Sequence, residues 1–176
     1  MAEISGRALR DVEIDGHLDD LAEILAETVQ GGGAVSFVQP FSPADGKAFY
    51  RDQVRSAERE GERVLLTAFS GGIPVGSVQL VVGLPPNQPH RCEVAKMMVH
   101  PGYRGRCITR RLMAALEAEA RLRGKTLITL DTRTGDVSQH LYVAFGFKVA
   151  GEIPACALDP DGERLHATTV MYKQLT

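Results

Sequence analysis

The stretch Val99–Met113, "VHPGYRGRCITRRLM", decides how this chain is read. An apolar run stops at His100-Pro101, a basic turn carrying Gly102 and Gly105 follows, and helical spacing then begins. A strand that feeds a helix through such a turn leaves the first helical amides without partners. Together with the positive end of the helix dipole, they suit a phosphate or pyrophosphate. Arg104, Arg106, Arg110 and Arg111 add mobile positive charge around the same point. A solvated basic helix start is the plain alternative, and the turn alone does not separate the two.

Upstream, "CEVAKMMV" reads as a strand, with Val94, Lys96 and Met98 on one side and Glu93, Ala95, Met97 and Val99 on the other. Downstream, Ile108, Leu112, Ala115, Leu116 and Ala120 form the stripe of a helix that ends near Gly124. "TLITLD" has the β-branched, apolar character of a buried strand. A short helix at "VSQHLYVAF", a strand at "FKVAGE", an irregular loop through "PACALDPDGERL" and a last strand "ATTVMYKQL" follow. Towards the N-terminus, "RALRDVEI" alternates as a first strand. The next helix, "LDDLAEILAETVQ", places Leu18, Leu21, Ile24, Leu25 and Thr28 on one face and stops at Gly31–Gly33. A second helix covers "PADGKAFYRDQVRSAEREG", from near Pro43 to Gly61, and a hairpin joins "RVLLTAFS" to "PVGSVQLVVG" around Gly71-Gly72. The order is β-α-α-β-β-β-α-β-α-β-β, an α/β chain whose mixed sheet carries helices on its faces.

One domain over residues 1–176 accounts for this order, since no repeat or linker divides the chain. Its 44% hydrophobic and 24% charged residues are an ordinary globular balance, and a net charge of -2 argues against a general nucleic-acid binder. Cys92, Cys107 and Cys156 lack the spacing of a disulfide framework or a zinc site, so reduced thiols in a cytoplasm are expected. The opening "MAEISGRALRDVEIDG" has acids and no apolar core, which reads as no export signal. No run of about 18 apolar residues is present to cross a membrane. His90, Cys92 and His100 are close in sequence without a metal spacing, and no metal is expected.

Two motifs together carry a resemblance. "VAKMMVHPGYRGRCITRRLMAALEAEAR" resembles the acetyl-CoA-binding core of the GNAT superfamily of N-acetyltransferases, a strand followed by R/Q-x-x-G-x-G/A and a helix. Here that motif falls on Arg104, Gly105, Arg106, Cys107, Ile108 and Thr109, after the strand end at Met98 and Val99. "HLYVAFGF" resembles the superfamily's second hallmark, Leu-Tyr followed by Gly-Phe. The resemblance implies a mostly antiparallel sheet of about seven strands, splayed between the fourth and fifth, and acetyl-CoA as cosubstrate. Cys107 and Thr109 replace the two motif glycines, which is tolerable if both adopt ordinary helical φ/ψ. The superfamily's frequent asparagine before the Tyr helix is Gly135 here. "LAEILAETVQGGGAVSF", "CEVAKMMVHP", "LITLDTRTGDVSQHLYVAFGF" and "GEIPACALDPDGERLHAT" are in addition similar to the tabtoxin-resistance acetyltransferases. That similarity implies a small amino-acid-like amine acceptor, a β-lactam toxin or antibiotic.

Acetyl transfer needs a neutral amine, and a carboxylate that removes a proton supplies it. The resemblance offers Glu93 and Asp131 as candidate bases, with Glu93 preferred; binding the acceptor's ammonium or capping a loop is the alternative role for either. A backbone N–H near Met98 would stabilise negative charge on the reacting oxygen. Tyr142 is the candidate proton donor to the departing thiolate, because a phenol with pKa about 10 stands near a thiol's value of about 8.5. Packing its ring in the core is the alternative. A non-catalytic acyl-CoA-binding domain and an enzyme that acetylates a protein amine remain open alternatives to a small-molecule transferase. A homodimer is an expectation from the resemblance only.

Overall fold

A computed structural model describes residues 4–175; Met1–Glu3, the start of the segment read as lacking an export signal, and Thr176 lie outside them. Seven strands form one sheet in the order β1-β2-β3-β4-β5-β7-β6. The strands are β1 (Ile4–Leu9), β2 (Arg63–Ser70), β3 (Ile73–Val81), β4 (Arg91–Val99), β5 (Leu127–Arg133), β6 (Lys148–Leu158) and β7 (Leu165–Gln174). All neighbours are antiparallel except β4 and β5, which are parallel. That parallel ladder covers only Arg91↔Leu127, Cys92↔Ile128 and Glu93↔Thr129. Past Glu93 the two strands part, as the splay expected between the fourth and fifth strands requires.

Helices lie on both faces. On one, α5 (Ile108–Leu122) and α6 (Val137–Ala144) cover a core that includes Val64, Leu66, Val78, Leu80, Leu112, Leu116 and Met171. On the other, α1 (Asp11–Gly16), α2 (Leu18–Gln30), α3 (Pro43–Phe49) and α4 (Arg55–Arg59) accompany a second core containing Leu9, Leu21, Ile24, Leu25, Tyr50, Leu65 and Phe69. The α2 stripe behaves as its spacing predicts: Leu21, Ile24, Leu25 and Thr28 are buried. Ser42 begins α3 by accepting the Asp45 N–H, with Pro43 in the first turn where a missing N–H costs nothing. A π-helical turn at Tyr50–Val54 joins α3 to α4, and the run ends at Glu60-Gly61.

Three readings need correction. Asp11–Gly16 is a helix, not the end of the first strand. The Arg10 backbone N–H donates to Glu13 Oε2 at 3.0 Å, a link between helix start and first turn that outweighs a four-residue alternation. "PACAL" is not loop: β6 runs to Leu158, with irregular pairing to β7 and Ala155 at φ +50°. Every β6 residue is exposed, so the burial pattern that marks a strand is missing there. Finally, β4 does not alternate cleanly. Its pairing with β3 shifts between Ser77↔Met98 and Gln79↔Ala95, and Lys96 sits at φ +50°. This bulge reverses the phase. Val94 therefore packs with α5, whereas Met98 packs with α2 on the opposite face.

Gly76 sets how closely the end of β4 approaches β3 and α5. A Cβ there would stand 2.9 Å from the Met98 carbonyl oxygen and 3.1 Å from Ile108 Cγ2. Only glycine allows that closeness.

Candidate active site

The splay opens at the start of α5. His100 Nδ1 accepts the Gly102 N–H at 3.1 Å and holds the short 3₁₀ turn Pro101–Tyr103 that leads into the basic loop. Gly105 follows at φ +76°. Cys107 is the residue before α5, at φ +59° and ψ +20°, and its side chain makes no capping bond. The Arg111 N–H is the first shown to return into the helix, reaching the Cys107 carbonyl at 3.2 Å. The amides of Ile108, Thr109 and Arg110, at the first turn of α5, have no capping side chain, and these three residues line a cavity, the arrangement an anion needs. Thr109 is helical as expected; Cys107 is not. It occupies the left-handed region, and an L-residue there costs about 1–2 kcal/mol.

A cavity of 1030 Å³ lies against this helix start. Of the residues expected to bind the cofactor, Met98, Val99, Arg104, Gly105, Cys107, Ile108 and Thr109 line it. Arg106 does not: its guanidinium lies over the Tyr103 ring, 4.9 Å from the centroid. The far wall comes from α6 and from Gly31–Gly33 after α2, which composition had marked only as a loop. Asp136 starts α6 by accepting the Val137 N–H at 2.7 Å, and Gly135, in the asparagine position, donates its N–H to Gln139 Oε1.

Tyr142 lines the same cavity and is 8% exposed. Burial first, and the charge of Asp131 second, push its phenol up to about 12. It therefore keeps its proton at every physiological pH. Phe147 packs edge-on against it, with centroids 5.7 Å apart, and holds the ring in the core.

The two carboxylates are placed differently. Glu93 pairs with Arg91 at 2.7 Å, and Arg91 also donates to Thr129 Oγ1 at 2.8 Å, so Arg91 alone reaches from β4 to β5 beside their last paired rung. Glu93 lines neither cavity. Asp131 lines a second cavity of 320 Å³, together with Ser36, Phe37, Arg133, Leu158 and His166. Arg133 is held by Asp159 at 3.1 Å. The sequence reading did not single out Arg133 or His166; the first stands two residues from Asp131 on one strand, a spacing that shares a face.

Lys96 was also missed. A charged residue inside the apolar "VAKMMV" was its one signal. Burial and then the nearby Arg63 lower its ammonium to about 8, while Asp131 pulls the other way. No helix is long and apolar enough to cross a membrane among the described residues, and Cys92, Cys107 and Cys156 are all free thiols.

A sheet opened between two parallel strands, with an uncapped helix start and a large cavity at the opening, suits an anionic, phosphate-bearing ligand. Residues 26–147 match the acetyltransferase (GNAT) family, and the chain belongs to that family. It is an acetyl-CoA-dependent N-acetyltransferase. An N-acetyltransferase from the hisH-hisA intergenic region of Azospirillum brasilense is 30% identical over 120 residues, 67% of this chain and 69% of the relative. The fold is similar to the acetyl-CoA complex of yncA from Salmonella typhimurium, with TM-score 0.78, 20% identity and coverage of 98% and 94% of the two chains. It is similar also to the ribosomal-protein-alanine N-acetyltransferase of Brucella melitensis, with TM-score 0.79, 22% identity and coverage of 97% and 99%. The coenzyme A complex of the paiA N-acetyltransferase from Thermoplasma acidophilum matches with TM-score 0.68, 16% identity and coverage of 98% and 99%.

Proposed function

We propose that this chain, as a single domain, acetylates the amine of a small amino-acid-like acceptor, and that a β-lactam toxin or antibiotic of that kind is its substrate. The observation that carries this reading is the second cavity. At 320 Å³ it suits a small molecule, and it presents a carboxylate, Asp131, and a guanidinium, Arg133, from one strand. A zwitterion offers the complement of both.

In this reading the amides of Ile108 to Arg110 and the side chains of Arg104 and Arg110 bind the pyrophosphate of acetyl-CoA, which supplies the activated acetyl group. Asp131 accepts the proton of the acceptor's ammonium and leaves a neutral nitrogen to attack. Glu93 stays a second candidate, with its charge already engaged by Arg91. Tyr142 donates to the departing sulfur. With its phenol near 12, complete transfer to a thiolate is uphill, so the hydroxyl acts chiefly as a hydrogen-bond donor. The three free cysteines agree with a cytoplasmic enzyme. The fully exposed outer strand β6, with Val149, Ile153 and Leu158 about half exposed, is the edge through which a homodimer would form.

Free-thiol release from acetyl-CoA, followed across the twenty L-amino acids, β-lactam amino acids and short peptides, tests this reading. Turnover of the amino acids or β-lactams supports it. Turnover of peptides alone favours a protein acceptor, and tight acetyl-CoA binding with no turnover of any amine favours a binding module.

A further inference from the structure

Lys96 occupies a costly position. The bulge turns its side chain out of the α5 core and towards the loop after α2, at a φ of +50° that L-residues avoid. Its Nζ donates to the Val35 carbonyl oxygen at 2.9 Å. The same ammonium lies 4.7 Å from the centroid of Phe37 and 5.4 Å from that of Phe49. It forms no ion pair within 4.0 Å among the described residues. A cation taken out of water without a carboxylate must be compensated by what it does touch, and here that is one carbonyl and two ring faces.

What it touches is the wall of the smaller cavity. Ala34, Ser36, Phe37 and Val38 line that cavity together with Asp131. Ser36 is itself left-handed, at φ +70°, so this turn does not hold its shape by backbone preference. Its far end is fixed by the Gln39 N–H, which donates to the Pro160 carbonyl at 2.7 Å, and by the Gln39 side chain, which donates to the Val29 carbonyl at 3.1 Å. The near end has the Val35 N–H on the Gly33 carbonyl at 3.0 Å, the Phe37 ring against Phe41 and Phe49, and the Lys96 ammonium.

The geometry points to Lys96 as a positioning residue for the acceptor: its ammonium clamps the Val35–Phe37 turn, whose Ser36 and Phe37 line the smaller cavity together with Asp131. The bulge on β4 then has two outputs. Met97 and Met98, next in sequence, line the cofactor cavity, and Lys96 fixes the wall facing the acceptor. This inference rests on the reading of the smaller cavity as the acceptor site.

Lys96→Met keeps the length and apolar stem and removes the charge. Amide hydrogen exchange over residues 33–38 needs no acceptor, and in this variant it is expected to speed up about tenfold, the scale of one lost cation–π contact and hydrogen bond. Acetyl-CoA affinity, measured by calorimetry, is expected to stay within about twofold of the parent. With the L-amino acid turned over fastest in the panel above, KM is expected to rise about tenfold while kcat changes less than about threefold. Lys96→Arg is expected to recover most of both effects, and Phe37→Leu to reproduce the faster exchange. Unchanged exchange in Lys96→Met, or a fall in kcat with KM constant, overturns the clamp. If no amine is acetylated, the acceptor reading fails and the exchange result still decides the clamp.

Discussion

Glu93 is tied to Arg91, with Oε1 and Nη1 2.7 Å apart, whereas Asp131, beyond the point where β4 and β5 part, faces a cavity. The two carboxylates offered as bases, of which the sequence favoured Glu93, therefore differ in availability. Asp131→Asn is expected to lower kcat/KM by about two orders of magnitude, the usual scale for a lost general base, and Glu93→Gln by less than about tenfold. Initial rates of thiol release check both. Equal losses would return Glu93 to the centre of the mechanism.

Tyr142 has a hydroxyl, to which the proposed mechanism gives the proton-donor role, and a ring that packs on Phe147. Tyr142→Phe keeps the ring that packs on Phe147 and should leave acetyl-CoA affinity unchanged by calorimetry. Turnover is expected to fall about a hundredfold. A wild-type rate would leave Tyr142 as a core residue alone.

Cys107 carries the strain that a motif glycine would avoid, at φ +59°. Cys107→Gly relieves it and also adds freedom to the unfolded chain, for a net gain of about 1 kcal/mol. For a chain of this size, a thermal midpoint about 2–4 °C higher is expected. A lower midpoint would show that the thiol makes compensating contacts.

How far the sequence reaches is seen in these same residues. The α2 stripe and the β2–β3 hairpin were legible because long, regular burial writes a period into the chain. The start of α5 was legible because glycines and arginines break the apolar run between strand and helix, although the turn alone did not separate an anion site from a solvated helix start. The helix at Asp11–Gly16 was not, since four residues satisfy both periods and a backbone-to-Glu13 bond decided between them. The extended β6 was invisible because an exposed outer strand has no alternation to show. The bulge at Lys96 left no compositional mark, so the side assigned to Lys96 and Met98 followed the unbroken alternation and was wrong. The smaller cavity joins residues 34, 36–38, 131–133, 157–158, 166 and 168 through tertiary structure alone.

Lys96 also makes stability depend on alkaline pH. Its folded-state value near 8 lies below the ordinary lysine value of 10.5, so between those two the unfolded chain binds the extra proton and stability rises with pH. Arg63 and Asp131 are the charges that act on it. Relative to Lys96→Met, in which other groups cancel, the parent is expected to gain stability as pH rises from about 8 to 10.5. Urea midpoints at several pH values measure the difference, and a constant difference would remove the depressed ammonium.

The central claim is that the opening of α5 grips a pyrophosphate with its free amides. Amide chemical shifts recorded during titration with coenzyme A, and separately with pantetheine, which lacks the pyrophosphate, test it most directly. The expected result is large shifts at Gly105 and Cys107 to Arg110 with coenzyme A and none there with pantetheine. Saturable coenzyme A binding that leaves those amides unmoved would contradict the account.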